Sequence, residues 1–416
     1  MLAHVDQALA LAGPQADAQL LWRLHHAREQ TLELQARRDE QGQAIESLEQ
    51  LAEILDNDQH RAYTALRRSG RAMRMADWSQ CDSAARRAMA LAERSADEGL
   101  RLHALRLLAL ALAFQGEVEA GKALAWQGLA DAQRHALRVN EAFLLNALAV
   151  MASLQEDVMA SLDLSQKNLL IYRDLSDRRN QAVALANLGA SWLNLGQAAR
   201  AQRDLDEALP LLRANGDRVV EGTTLSLMSE LALWRDDADE AAALAQAALE
   251  IAIGAQARDR EVEALLRLGD AQLAQRRFDA ARQSFERAHA LGLSIDSAQR
   301  HQATAGLARL AHAQGDQTAA LQSVAALLAL MATDAMPEGT AADRVIEFTC
   351  VEVLAAAGVD AERRACEWLE RAVKSLQAQA DSIADAALRE GFLHNIPVHR
   401  KIMAAWQTLN ASNKTG

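Results

Sequence analysis

Histidine, cysteine and serine are the residues through which this 416-residue sequence could hold a metal or attack a substrate. None recurs at a spacing that either chemistry needs. A metal site requires three or four ligands brought within about 2.0–2.3 Å of one ion. His25 and His26 are neighbours, so on a helix they point apart. His394 and His399 flank Pro397 in an expected loop with no third ligand near, and are expected to be exposed. Cys81, Cys350 and Cys366 include no Cys-x-x-Cys, and read as small core residues of a protein kept in a reducing compartment. No Gly-x-Ser-x-Gly elbow, phosphate-cradling Gly-x-x-x-x-Gly-Lys-Ser/Thr or His-Glu-x-x-His occurs. The acidic run Asp236-Asp237-Ala238-Asp239-Glu240 reads as a helix start, where carboxylates complement the helix dipole. The expectation is therefore a non-enzyme with no catalytic residue, no metal and no cofactor.

The elements that would position any site are helices. Half the residues are apolar, yet aromatics make up only 4% and there are only 4 prolines and 20 glycines; Ala, Leu, Arg, Glu and Gln fill nearly every stretch. These side chains lose least on entering a helix. Runs of β-branched and aromatic residues that would specify strands are missing. A formal charge of −12 disfavours a sequence-independent grip on nucleic acid or acidic lipid, both of which need clustered Lys and Arg. Neither a leader pattern nor an uncharged run of eighteen apolar residues is present, so a cytoplasmic protein is expected.

The helices repeat. Marks placed where one apolar-periodic helix gives way to the next fall at Ala76, Gly116, Glu156, Gly196, Asp236, Arg276 and Gly315, at intervals of 40, 40, 40, 40, 40 and 39. Seven residues before each mark stands Ser69, Ala109, Ala149, Gly189, Ser229, Gly269 or Ala308. Five after it stands Cys81, Gly121, Ser161, Ala201, Ala241, Ala281 or Ala320. All are small, as two antiparallel helices need where they cross closely. A large residue (Leu108, Leu148, Leu188, Met228, Leu268 or Leu307) precedes the first small position in every repeat but the one with Arg68. It fills the space between hairpins.

Large-Gly/Ala in one helix and an apolar residue followed by x-x-Ala in the next, as in Leu188-Gly189…Gly196…Ala201…Ala208 and Leu268-Gly269…Phe278…Ala281…Phe285…Ala288, resembles the tetratricopeptide repeat. The 40-residue period is similar to the longer-helix form found in bacterial regulators. The resemblance implies an all-α, right-handed superhelical solenoid of antiparallel hairpins with helical caps at both ends. Its parts are expected to be an atypical N-terminal capping hairpin (1–59), seven regular repeats (60–333), and a C-terminal cap and tail (334–416) that opens with the turn-rich Thr333–Thr340. Leu388–Ile402 and Leu32–Gln41 resemble the arrays that follow the nucleotide-binding module of signalling ATPases, adenylate-cyclase-like proteins and transcription-activator-like proteins.

In that family the first helix of each hairpin lines a concave face. Carried onto this sequence, the register puts there Tyr63, Arg67, Arg74, His103, Arg106, Phe114, Phe143, Asn146, Asn187, Asn194, Glu230, Trp234, Glu263, Arg267 and Asp270, running from basic to acidic. Asparagines can hydrogen-bond an extended peptide backbone and aromatics can anchor side chains. Trp22, Trp78, Trp126, Trp192, Trp368 and Trp406 are expected in or near the core. The resemblance implies a protein or peptide interaction scaffold, the regulatory or sensor arm of a bacterial signalling protein with a nucleotide-binding module in cis. The alternative is a free-standing adaptor or peptide-pheromone-type sensor.

Overall fold

The computed structural model describes residues 2–13, 15–35, 37–155, 157–331 and 341–415. Among them are 21 α-helices and no strand. The first nine are α1 (Leu2–Ala12), α2 (Ala18–Leu34), α3 (Arg38–Ile54), α4 (Asp58–Arg74), α5 (Trp78–Arg94), α6 (Glu98–Phe114), α7 (Val118–Arg134), α8 (Arg138–Leu154) and α9 (Val158–Asp174). There follow α10 (Arg178–Asn194), α11 (Ala198–Asn215), α12 (Arg218–Trp234), α13 (Ala238–Gly254), α14 (Arg258–Ala274), α15 (Phe278–Ser294), α16 (Arg300–Ala313) and α17 (Gln317–Met331). The last four are α18 (Ala341–Ala355), α19 (Val359–Ser382), α20 (Ala386–His394) and α21 (Pro397–Thr415). Contacts group the chain into two compact units, residues 1–184 with 211–219, and 185–210 with 220–416.

A turn recurs at half the period that the sequence displays. Left-handed residues stand at Asp56, Ala76, Ala96, Gly116 and Ala136, and again at Ser176, Gly196, Gly216, Asp236, Gln256, Arg276, Asp296 and Gly315. Each caps a helix in the same way. At the Ala76 turn the Asp77 amide reaches the Ala72 carbonyl at 3.0 Å and the Ala76 amide reaches Met73 at 3.1 Å, which satisfies carbonyls the helix end leaves open. The next residue then starts a new helix: Asp77, Asp97 and Asp237 each accept from an amide three residues on. The usual glycine signal is missing from nine of these turns, filled by Ala, Asp, Ser, Gln and Arg at φ of 44–59°. Each carries a cost of about 1 kcal/mol, and each hides the 20-residue rhythm from a reader looking for glycine.

The small positions do meet. Ser69 Oγ donates to the Cys81 carbonyl at 2.8 Å, and Ser229 Oγ to the Ala241 carbonyl at 2.8 Å. A Cβ on Gly121 would lie 2.5 Å from the Ala109 carbonyl oxygen. In the second unit Phe285 is fully buried, and a Cβ on either Gly269 or Gly306 would come within 2.5 Å of its ring. Two glycines thus form the slot for one aromatic. Trp22 and Trp192 are buried as expected, but Trp126 is half exposed and lies outside the core.

The N-terminal segment holds three helices, where the sequence pattern shows a hairpin. The additional α1 packs Leu2 against Leu32 and Ala44, and its Asp6 pairs with Arg28 at 2.7 Å. No small-residue mark announces it. The turn-rich 333–340 lies outside the described residues.

At the other end, His394 and His399 do not sit in a loop. Pro397 opens α21, where its missing N–H costs nothing, and His399 on that helix is 1% exposed. His399 Nδ1 bonds the Phe392 carbonyl at 2.8 Å. Burial, with Arg344 nearby, pushes its pKa down to about 4 against the hydrogen bond to Phe392. The native state therefore holds it neutral while an unfolded chain protonates it near its usual 6.5. Stability should be intact above that value and decline as pH falls toward 4, by on the order of 2–3 kcal/mol from this group. Protection factors across α20–α21, taken relative to the intrinsic exchange rate at each pH, should fall over that window, and His399→Leu should flatten the change there. Protection factors unaltered between pH 7 and 4.5 would show that His399 is not held neutral by burial.

Candidate ligand-binding faces

In the first unit the sequence-derived candidates gather around two glutamates. The Glu29 carboxylate on α2 is completely buried and takes a two-pronged grip from Arg67 on α4, Nε at 2.8 Å and Nη2 at 2.9 Å. Gln41 on α3 donates a third bond at 2.7 Å. Arg67 Nη2 also reaches Glu33 at 2.5 Å, and Arg74 approaches the other oxygen of Glu33 at 3.6 Å. Burial raises the Glu33 pKa, but Arg67 and Arg74 more than offset it and hold the carboxyl at about 2. Tyr63 packs its ring against Trp22 and His26, with centroids 6.1 and 4.7 Å away, and burial pushes its hydroxyl up to about 12.

Next to this network, on α6 and α8, lies a second group. Arg106 Nη2 donates to His103 Nε2 at 3.2 Å, and the guanidinium carbon sits 5.4 Å from the Phe143 ring centroid. His103 is itself 4.8 Å from that ring. Burial and the neighbouring Arg106 hold the His103 imidazole well below its usual pKa, hence neutral. Asn146, also on α8, is not without a partner of its own. Phe114 does not join the group: it is 41% exposed and stacks face to face on Trp78, the first residue of α5, at 4.2 Å.

In the second unit, Asn194 (α10), Glu230 and Trp234 (α12), and Arg267 and Asp270 (α14) line one cavity of about 710 Å³. That is the size of a pocket for a drug-sized molecule or a large side chain. Leu233, Leu266, Leu273 and Phe278 make much of the wall. The charges are answered internally, Glu230 by Arg267 at 2.7 Å and Asp270 by Arg309 at 2.6 Å. With Glu29 and Glu33 answering the early arginines, the lining is not the run from basic to acidic that the sequence suggests. Glu263 pairs with Arg260 at 2.9 Å and, like Asn187, stays outside the cavity lining.

The far wall comes from the C-terminal helices: Val345, Phe348, Thr349 and Glu352 on α18, and Ile396, Pro397, Val398 and Lys401 at the α20–α21 junction. The junction is fastened where α10 turns into α11. Asn395 Nδ2 donates to the Gly196 carbonyl at 3.0 Å, and a Cβ on Gly196 would lie 2.2 Å from the Gly391 carbonyl oxygen. None of this wall was visible to the repeat register, nor were Glu29 and Glu33; Arg309, six before Gly315 as Asp270 is six before Arg276, falls in the register but was not among the candidates. Only the Asn-Ile-Pro start of α21 is a local signal. Among the described residues no group of His, Cys, Asp and Glu could hold a metal, and no helix is long and apolar enough to cross a membrane.

This is the fold of tetratricopeptide-type helical-repeat proteins. Neither a protein-family profile nor a curated protein sequence matches the chain. Among solved structures, a Rap protein in complex with competence and sporulation factor is similar over 85% of this chain and 98% of its own, at 12% identity and a TM-score of 0.58. The apo quorum sensor NprR from B. thuringiensis is similar over 83% and 96%, at 14% identity and a TM-score of 0.52. A signal transduction ATPase with numerous domains and a tetratricopeptide repeat sensor, from Pyrococcus horikoshii, is similar over 80% of this chain but 53% of its own, at 14% identity and a TM-score of 0.50.

Proposed function

We propose that the chain is a protein interaction scaffold whose lining receives a peptide or a segment of a partner protein, with no catalysis of its own. One observation carries this reading: Asn194, Glu230, Trp234, Arg267 and Asp270, from three alternate helices, line a single cavity with a largely apolar wall and internally paired charges. Such a surface offers an anchor for an aliphatic or aromatic side chain and polar groups for the backbone beside it. The three similar structures include two sensors by name, and the likeness supports a sensory role here.

As the regulatory arm of a larger cytoplasmic bacterial signalling protein, the chain would bias a nucleotide-binding module in cis. The ATPase likeness supports this arrangement; the Rap and NprR likenesses, which span almost all of those chains, support the free-standing sensor instead. An immunoblot of the source organism separates the two, a band well above 45.2 kDa favouring the arm and one at that mass the free-standing form.

Selection of a displayed random-peptide library on the full chain tests the scaffold reading. Enriched peptides should lose about tenfold or more in affinity on Trp234→Ala, the scale of an interface hot spot. Absence of enrichment over a decoy protein, or binding indifferent to that substitution and to Arg267→Ala, would count against it.

A further inference from the structure

Every other cation singled out on the lining faces a carboxylate: Arg67 meets Glu29 and Glu33, Arg74 meets Glu33, and Arg267 meets Glu230. Arg106 meets none among the described residues. Its neighbours are the uncharged His103 ring, the face of Phe143 and, further off, Tyr172, Arg74, Cys81 and Glu33, whose carboxylate is already engaged by Arg67 and Arg74. Its Nε is buried and has no hydrogen-bond partner. A guanidinium so placed has given up water without gaining a directly paired counter-ion, which costs more than either a paired or a solvated charge. The same imbalance shows as a pKa pushed down by burial to about 10, which leaves it charged at neutral pH. The protein as a whole carries −12, so this is a local positive surplus in an acidic molecule.

We propose that Arg106 is an anion-binding position that takes one singly charged oxyanion, the carboxylate of a peptide ligand, beside the packed rings of Phe143 and His103. The fork of the guanidinium matches a carboxylate in two parallel hydrogen bonds, one of them to the unpartnered Nε. A phosphate dianion fits less well, because the nearest further arginines, Arg67 and Arg74, are already engaged by Glu33. That the carboxylate belongs to a peptide rests on the scaffold reading above; that the site takes an anion does not.

The full chain at pH 7.5 and constant ionic strength, with chloride as the reference salt, is melted in the presence of N-acetyl-leucine, N-acetyl-leucinamide or inorganic phosphate. The free carboxylate should raise the melting temperature by a few degrees, as a ligand specific to the native state does, and the amide should not. Arg106→Gln should abolish the response and melt no lower than the parent without anion, since it removes an uncompensated charge. Arg106→Lys, which keeps the charge but loses the fork, should keep a weakened response. An unaltered response in Arg106→Gln, a Gln variant that does not fold, or phosphate acting at tenfold lower concentration than the carboxylate would each overturn the assignment. A carboxylate response that survives while no peptide can be selected sinks the scaffold reading and leaves the anion site standing.

Discussion

Gly196→Ala is expected to free α20 and the start of α21 from the repeat they rest on, while the repeat itself stays folded. Gly196 holds a left-handed turn at φ 68°, but that alone does not require glycine, since nine non-glycine residues hold comparable turns in this chain. The close approach does. An added Cβ would sit 2.2 Å from the Gly391 carbonyl oxygen and 2.7 Å from its carbon, backbone that cannot swing aside as a side-chain end can. Gly116 provides the control: it too has a positive φ, and nothing lies within 4 Å of its Cβ position. Gly116→Ala should cost about 1 kcal/mol, the ordinary strain of the turn. At Gly196 the same change adds the clash and forfeits the Asn395 bond, for a total of about 3 kcal/mol or more. Limited proteolysis should cut between 383 and 402 in the Gly196 variant and not in the Gly116 variant. Equal protection in both would mean that the junction is held by its apolar contacts alone.

Phe285→Ala should be the most damaging single truncation in the second unit, about 3–5 kcal/mol by urea unfolding. The ring is fully buried and touches both Gly269 and Gly306 so closely that neither could carry even a methyl group. Its loss leaves a void that two facing helices without side chains cannot close. The same geometry makes Gly269→Leu destabilising in the parent but restorative in the Phe285→Ala background, where the new side chain fills the vacated slot. A double-mutant cycle should give a coupling of about 1–3 kcal/mol in the compensating direction. Additive effects would show that the slot relaxes instead.

Local contacts explain what the sequence discloses and what it conceals. Ser69 with Cys81, Ser229 with Ala241, and Ala109 with Gly121 meet across single turns, so their smallness recurs at fixed offsets and the hairpin can be read from one chain. The lining is legible as a helix face, which is why Arg67, Arg106, Trp234 and Asp270 could be nominated together. Their partners were not legible. Glu29 lies 38 residues from Arg67, outside the regular array, and Arg309 lies 39 from Asp270, in a repeat that the nominations did not reach. Which arginine is neutralised and which is not depends on those pairings. His399 misleads for a similar reason: beside a proline it reads as loop, whereas Pro397 begins a helix and buries it. The 20-residue turn escaped because Ala, Asp, Ser, Gln and Arg occupy a position that usually advertises itself as glycine.

The bond from Asn395 to Gly196 spans 199 residues, while the hairpins close over a few tens. Contacts so separated form late, because the chain between them must first be ordered, whereas neighbouring helices can pair as soon as both exist. During synthesis from the N-terminus, α10, α12 and α14 are therefore made and paired long before the residues that wall off their cavity leave the ribosome. For that interval Trp234, Leu266 and Phe278 lack their C-terminal cover, and a nascent chain halted before about residue 396 would hold the same lining as an open apolar face. Residues 396–401 thus act in the molecule's biogenesis as the closing step that ends this exposure.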